Sequence, residues 1–383
     1  VTDNADRILI IGAGLTGATM ARTLAEAGMA VLVAEQGTRC GGHCHTYRHR
    51  ETGIMMHAHG PHIFHSDDAE VWRFVERFAD FVPYVHRVVA RTGGQSFPLP
   101  INLQTLRQFF SQSFDASEAR DHLWKLARHY DHAPRNFEEQ ARSTIGDQLY
   151  EAFFDGYTRK QWGLDPSELP ASLFARLPVR FTADDSYYHH SRVAIPRQGY
   201  TALIERILAH PAIEIHLGLT ATAATVRGFR HVVYTGPLDA WFDHRLGRLP
   251  YRTLDFEIHE AQGSFQGRAQ VNYCDLTLPW TRITEHKYFM PQDDFDRTVY
   301  AVEYSRDCGP RDTPYYPVRL AREERLYGEY RQEAMRLSGI SFVGRLATFR
   351  YIDMDVAISE ARRAAHDLNA GLRSDRAPPA FFT

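Results

Sequence analysis

A chain of 383 residues is long enough for two or three domains around a large core. It is 44% hydrophobic and 24% charged with a net charge of −3, so no basic excess draws it to nucleic acid or to an anionic membrane surface. No apolar run approaches the ~18 residues of a membrane span, four cysteines make no disulfide framework, no signal peptide is visible from Val1 onward, and a reducing cytoplasm is the expected compartment.

Residues 7–35 read as a complete βαβ unit. Residues 8–11 are a short apolar run suited to a buried parallel strand. Gly12, Gly14 and Gly17 follow at G-x-G-x-x-G spacing. Ala18, Ala21, Leu24 and Ala25 then recur at helical spacing up to Gly28, and a second strand ends in Glu35. That order predicts a dinucleotide site. Gly12 permits the tight turn, Gly14 lets the backbone approach a pyrophosphate at the helix N-terminus, Gly17 allows close helix–strand packing, and Glu35 accepts from a ribose hydroxyl. The segment Arg39-Cys40-Gly41-Gly42-His43 favours FAD over a nicotinamide cofactor, because a second glycine pair presents further N–H groups to phosphates. Cys40 and Cys44 beside His43 and His45 invite a zinc reading, but no second ligand pair accompanies them, and no metal is expected.

Thr52-Gly53 predicts a hairpin turn. Gly60-Pro61 predicts a tight turn inside a histidine-rich loop that puts His59, Gly60 and His62 near the flavin. Val71, Phe74, Val75 and Phe78 share a helix face, capped by Asp67 or Asp68. The prolines of residues 95–101 (QSFPLPI) exclude a central strand or a helix interior and predict a linker. From residue 103 to about 157 the pattern is helical. Residues 157–181 mix aromatics and cations with Gly163, Pro166, Pro170 and Pro178, and predict a mobile loop with short helices. A helix through Leu203 and Ile207 and strands at 213–217 and 231–234 return to the dinucleotide sheet. Residues 251–304 alternate as an antiparallel sheet with one covered face. An amphipathic helix at 320–337, a last parallel strand at 342–344, a final helix at 353–368 and a frayed tail at Pro378-Pro379 complete the chain.

No G-x-S-x-G, H-E-x-x-H or cysteine–histidine nucleophile pair of known spacing occurs. Instead arginines stand among aromatics: Arg180 in PVRF, Arg282 in WTRITEHKYF, with Tyr315 and Tyr316 in PYYP. Arginine suits bidentate phosphate binding and tyrosine adds a neutral donor. Tyr157 and Trp162 offer flat faces to a base or sugar. Residues 344–355 (GRLATFRYIDMD) lead into the last helix, whose N-terminus, turned to the flavin pyrimidine edge, favours the anionic reduced form.

Taken in order, GAGLTG, GPHIFHSDDAEVW, FPLPINLQT, GYTRKQWGLDPSELPAS, PVRF, TRITEHKYF, PYYP and GRLATFRYIDMDVAI resemble the bacterial UDP-galactopyranose mutases over about residues 7–368. The resemblance implies an α/β fold. A Rossmann-like FAD-binding domain is discontinuous over 1–80, 195–245 and 338–370. A helical domain is inserted at 95–160. An antiparallel β-sheet domain for substrate occupies 161–194 and 246–320, with a mobile loop at 163–180, and a tail follows at 371–383. It also implies a redox-neutral isomerase that uses reduced FAD. Flavin N5 attacks the anomeric carbon and expels the nucleoside diphosphate, and the opened sugar recloses from pyranose to furanose, so the cofactor replaces a side-chain nucleophile. The implied partners are a nucleoside-diphosphate sugar, an external reductant such as NAD(P)H and a second copy in a homodimer, with neither nucleic acid nor membrane.

Position by position, the resemblance implies Arg180 and Arg282 as diphosphate arginines and Tyr316 and Tyr351 as diphosphate tyrosines, with Tyr315 the neighbouring candidate. Phe153, Phe154, Tyr157, Trp162 and Asn272 form the substrate wall. Gly42, His43, His59, Gly60, Arg345, Asp353 and Met354 contact the flavin, and His62 works beside it. Three departures stand out: His43 where the family usually has Asn, residues 192–196 where it has an aromatic and Gln-Gly-Ile-Pro, and Trp280 where it has Tyr. They point to a sugar or base other than ordinary UDP-galactose, such as a 6-deoxyhexose. The rival readings are an FAD oxidoreductase with net electron flow and a non-catalytic nucleotide-sugar binder.

Overall fold

The computed structural model describes residues 4–175, 178–221 and 226–382. The apolar strand Arg7–Ile11 is the centre of a five-stranded parallel sheet. It pairs with Ala30–Glu35 on one side and His231–Tyr234 on the other, and Ile213–Leu217 and Ile340–Phe342 form the edges. Side chains alternate across it. Ile8 and Ile10 face helices Leu15–Glu26, Gly199–Leu208 and Met354–Arg373, while Leu9 faces helix Ala321–Ala334. The strand order reverses beside Arg7–Ile11, which places the ligand crevice beyond its carboxyl end.

A second sheet has seven strands, in the spatial order 316–317, 251–262, 297–307, 282–285, 270–273, 88–92 and 95–99. Its pairing is antiparallel except between Gln270–Tyr273 and Val88–Thr92, which run parallel. Two expectations change here. Residues 95–99 are a strand rather than a linker, and they lie at the sheet edge, where Pro98 withholds no hydrogen bond from an outer neighbour. The sheet therefore draws strands from residues 88–99 and is neither wholly antiparallel nor confined to 161–194 and 246–320.

The helical unit runs through Leu103–Phe110, Ala116–Leu126, Phe137–Tyr150, a π-helical turn at Glu151–Asp155, Gly156–Trp162 and Ala171–Ala175. Asn102 and Asp115 cap the first two helices with capping boxes. The stretch 163–180 carries the 3₁₀ turn Pro166–Glu168 and the helix Ala171–Ala175, and its residues 176–177 lie outside the described residues. Residues 192–196 form the middle strand of a small sheet between Phe64–Ser66 and Phe81–Pro83. Helix Ala69–Val75 is capped by Asp68. The tail is not frayed. Ser341 donates to the Pro379 carbonyl at 2.6 Å, the Phe342 N–H to the Ala380 carbonyl at 2.7 Å, and Phe381 stacks on Phe342.

Candidate active site

A cleft of about 1570 Å³ joins the carboxyl end of the parallel sheet to the seven-stranded sheet. At the parallel-sheet end the three glycines do different work. Gly12 turns at φ +109°, and a Cβ there would lie 2.2 Å from Thr235 Oγ1. A Cβ on Gly17 would lie 1.9 Å from the Gly12 carbonyl oxygen. Gly14 is free of such contacts: its Cβ would meet nothing nearer than Gly42 Cα at 3.8 Å. Gly14 and Gly42 thus make a cradle of bare backbone at the start of helix Leu15–Glu26, which has no side-chain cap, and such N–H groups take phosphate. Glu35 lines the cleft, its carboxylate fixed by the Ala13 N–H at 2.8 Å and the Gly37 N–H at 2.7 Å. Tyr351, Asp353 and Met354 bring the N-terminus of Met354–Arg373 to the same cleft, again without a side-chain cap. The bare cradle and fixed carboxylate fit a dinucleotide. The volume, above the ~300–1,000 Å³ of an ordinary ligand site, leaves space for a second ligand.

Histidines crowd the middle of the cleft. His62 Nδ1 donates to the Gly60 carbonyl at 2.9 Å, and burial takes its pKa down to about 4, so the ring is neutral with Nε2 as an acceptor. His59 Nδ1 lies 2.6 Å from Tyr315 Oη. Arg345 donates to His43 Nδ1 at 3.0 Å and to the Tyr315 carbonyl. Burial, and then the Arg345 charge, hold His43 well below its ordinary pKa. Cys40 and Cys44 are buried, and burial pushes their thiols up to about 11 and about 12.

At the other end Arg282 begins a strand. Its Nη2 donates to Tyr157 Oη at 3.1 Å, and its Nε lies 2.9 Å from Glu303 Oε1, the residue directly opposite on the next strand. Glu303 is 1% exposed. Burial raises its carboxyl pKa, and Arg282 and the Thr281 hydroxyl offset part of that. Burial pulls the Arg282 pKa down, but Glu303 and then Tyr157 outweigh it, so the guanidinium stays charged. Tyr316 lies beside Arg282 in the cleft, with its ring 5.6 Å from Tyr351 and 6.3 Å from Trp162. A caged cation, phenols and an indole thus converge.

Other expected site residues do not converge. Arg180 is absent from the cleft wall, and its Nη1 is engaged by Asp184 at 3.2 Å and by the Ser186 carbonyl. Nη1 is thus turned to its own chain segment, while Nη2 is buried without a hydrogen-bond partner among the described residues. Phe153 is a core residue of the helical unit, 5.2 Å from Phe97 and 5.5 Å from Phe109, and Phe154 packs on Phe174. Asn272 is buried opposite Arg282 and bonded to Gln270. Tyr157 and Trp162 stand just behind the wall, touching it through Arg282 and Tyr316. Of the three departures, only His43 lines the cleft. Ala194 and Ile195 are core, Arg192 lies over Trp72, and Trp280 packs against Tyr273 and Tyr304. Tyr188 lines the cleft, stacked at 3.9 Å on His65 of the histidine-rich GPHIFHS stretch, and the SYYH that follows PVRF is the one sequence signal for Tyr188. Glu303 had none, because cross-strand register gives it its partner.

The sheet order, glycine cradle and arginine–tyrosine cage define a dinucleotide-binding enzyme of the Rossmann class. Residues 10–78 match the profile of an NAD(P)-binding Rossmann-like domain, and residues 152–351 match that of UDP-galactopyranose mutase. The chain is 46% identical to a probable UDP-galactopyranose mutase of Klebsiella pneumoniae, over 99% of this chain and 98% of that one. It is 44% identical to a dTDP-fucopyranose mutase of Escherichia coli, over 94% and 97%. A crystal structure of reduced UDP-galactopyranose mutase superposes with a TM-score of 0.75 at 17% identity, covering 96% of each chain, a likeness of fold. The chain belongs to the UDP-galactopyranose mutase family and is an isomerase, a nucleotide-sugar mutase.

Proposed function

We propose that the chain interconverts the pyranose and furanose forms of a UDP-galactose-like nucleoside-diphosphate sugar, with reduced FAD as its cofactor. The observation that carries this reading is one cleft with a glycine cradle at one end and Arg282, Tyr316 and Tyr351 at the other. Bound reduced flavin supplies the nucleophile for the anomeric carbon and is not consumed. Gly14, Gly42 and the N-terminus of the helix that Gly14 opens hold the cofactor phosphates. Glu35 takes the ribose, and Asp353 and Met354 set the helix end beside the ring. Arg282 binds the diphosphate and attracts it more strongly as its charge grows on leaving the sugar, which is where electrostatic help lowers a barrier. Tyr316 and Tyr351 donate to phosphate oxygens. Neutral His62 offers an acceptor beside the sugar without adding charge. Because residues 192–196 and Trp280 lie away from the cleft, they give no reason to prefer a 6-deoxyhexose, and His43 acts on Arg345 at the cofactor end. Among the described residues no helix is long and apolar enough to cross a membrane. A cytoplasmic homodimer primed by NAD(P)H is the rest of the proposal, on family resemblance alone.

The test incubates dithionite-reduced enzyme with UDP-galactopyranose, dTDP-fucopyranose and an N-acetylated UDP-sugar, and resolves pyranose from furanose. Furanose formed without proportional use of reductant supports the proposal. One NADH or oxygen consumed per product, or equal activity with oxidised flavin, supports the oxidoreductase reading instead. A preference of more than ~10²-fold for dTDP-fucopyranose moves the substrate to the deoxysugar.

A further inference from the structure

Lys160 lies on helix Gly156–Trp162, on the same helix as Tyr157 and Trp162. Its ammonium donates to three backbone carbonyls, those of Tyr273 at 2.8 Å, Asp275 at 2.9 Å and Trp280 at 2.9 Å. An ammonium has three donors, so all are engaged by one short segment. That segment connects strand Gln270–Tyr273 to strand Arg282–Glu285 and ends just before Arg282. Lys160 therefore ties together the helix that carries Tyr157 and the strand that carries Arg282, the two partners of a 3.1 Å hydrogen bond.

Packing alone does not ask for lysine here. A methionine of similar length would fill the same gap without desolvating a charge, and burial already lowers the Lys160 pKa. What three convergent bonds supply is a fixed distance and angle. The neighbouring contacts serve the same end. A Cβ on Gly156 would lie 2.2 Å from the Cys274 carbonyl oxygen, so helix backbone meets connection backbone directly. At the far end of the helix, Arg252 Nε and Ser305 Oγ donate to the Gln161 carbonyl at 3.1 and 2.6 Å.

We propose that Lys160 is a positioning residue: by holding the connection before Arg282 against the helix of Tyr157, it aims the Arg282 guanidinium at the diphosphate. The inference rests on the reading of Arg282 as the diphosphate ligand.

The test uses FAD-loaded wild type, K160M, K160C and R282A, titrated calorimetrically with UDP and with dTDP, with FAD content and Tm measured on the same samples. K160M should weaken nucleotide binding by ~10-fold or more while FAD content and Tm stay near wild type. Alkylating K160C with 2-bromoethylamine rebuilds an ammonium at lysine length and should restore affinity to within about threefold of wild type, with alkylated wild type as the control. Should K160M fail to fold, K160C before and after alkylation decides the question alone. Nucleotide affinity of K160M within about twofold of wild type overturns the inference. So does loss of FAD together with nucleotide, or no recovery on alkylation, because either marks a purely structural lysine. A wild-type enzyme that holds FAD but binds neither nucleotide overturns the proposed function and this inference with it; equal binding by wild type and K160M overturns the inference alone.

Discussion

Removing Arg282 strands Glu303. That carboxylate is 1% exposed, lies 2.9 Å from Arg282 Nε, and otherwise accepts from the Thr281 hydroxyl at 3.2 Å. Arg282→Met leaves a buried charge with a single neutral donor, and breaking a buried pair from one side costs about 3–5 kcal/mol of stability. Glu303→Gln leaves a cation whose side chain is 16% exposed and keeps its bond to Tyr157, so the loss is smaller, about 1–3 kcal/mol. The double variant removes both charges and should recover most of the loss, ending within about 2 kcal/mol of wild type. Turnover behaves differently. Each charge-assisted bond to phosphate is worth about 1.5–3 kcal/mol, so losing a two-bond contact in Arg282→Met should lower kcat/KM by ~10²-fold or more at 1.36 kcal/mol per decade. The double variant should be equally slow although stable. Urea unfolding of the FAD-loaded proteins and kcat/KM with UDP-galactopyranose separate the two effects. Additive stability losses, or Arg282→Met turnover within ~10-fold of wild type, would refute the reasoning. A pH signature accompanies it. Because burial raises the Glu303 pKa above its ordinary 4.5, the native chain binds more protons than the unfolded one just above pH 4.5. Glu303 therefore makes stability fall as pH rises through that window, and Glu303→Gln should remove the dependence.

Gly17→Ala places a Cβ 1.9 Å from a backbone oxygen and should prevent the parallel-sheet unit from folding, whereas Gly14→Ala meets only an ordinary 3.8 Å contact and should fold with weakened FAD binding; circular dichroism and flavin absorbance distinguish them. Arg180→Ala should change UDP affinity by less than about threefold, since Arg180 lies off the cleft wall with its Nη1 held by Asp184 and Ser186, and a larger loss by calorimetry would return Arg180 to the diphosphate. Burial takes His62 and His231 down to about 4 and His86 and His286 to about 3, against an ordinary 6.5. The unfolded chain therefore binds more protons than the native one below pH 6.5, and stability is lost as pH falls from there towards 4. At up to ~1.4 kcal/mol per histidine per pH unit, the four together remove roughly 5 kcal/mol per unit, so urea midpoints should drop steeply between pH 7 and 5.5 and a flat profile would contradict the assignment.

The local half of this molecule was readable from its sequence. Strands 213–217 and 231–234, the capped helix beginning after Asp68 and the glycine turn are dictated by neighbours a few residues away, and all stand where periodicity put them. Strand Gln95–Leu99 was missed because proline excludes a central strand but not an edge one, and edge position is a property of the assembled sheet. The tail was misread for a similar reason: Pro378 and Pro379 break regular structure, yet their carbonyl side still docks on Ile340–Phe342. In the site, Gly14, Glu35 and Arg282 follow from motif chemistry. Glu303 and Lys160 do not, since each acquires its meaning from a contact across more than twenty residues. Phe153 shows the converse error, an aromatic beside a functional helix that faces its own core.

The order in which the parallel sheet is assembled has a consequence for synthesis. Arg7–Ile11 and Ala30–Glu35 leave the ribosome together, but their outer partners are encoded at 231–234 and 213–217, after the whole helical unit. Thr235, the neighbour that Gly12 packs against, is made only after the helical unit is complete. A nascent chain therefore carries a bare two-stranded fragment with unpaired backbone on both sides while residues 36–212 are made. Such long-range pairings form slowly, so cofactor capture is a late event in the birth of this protein, and the interval before it is when chaperones have most to shield.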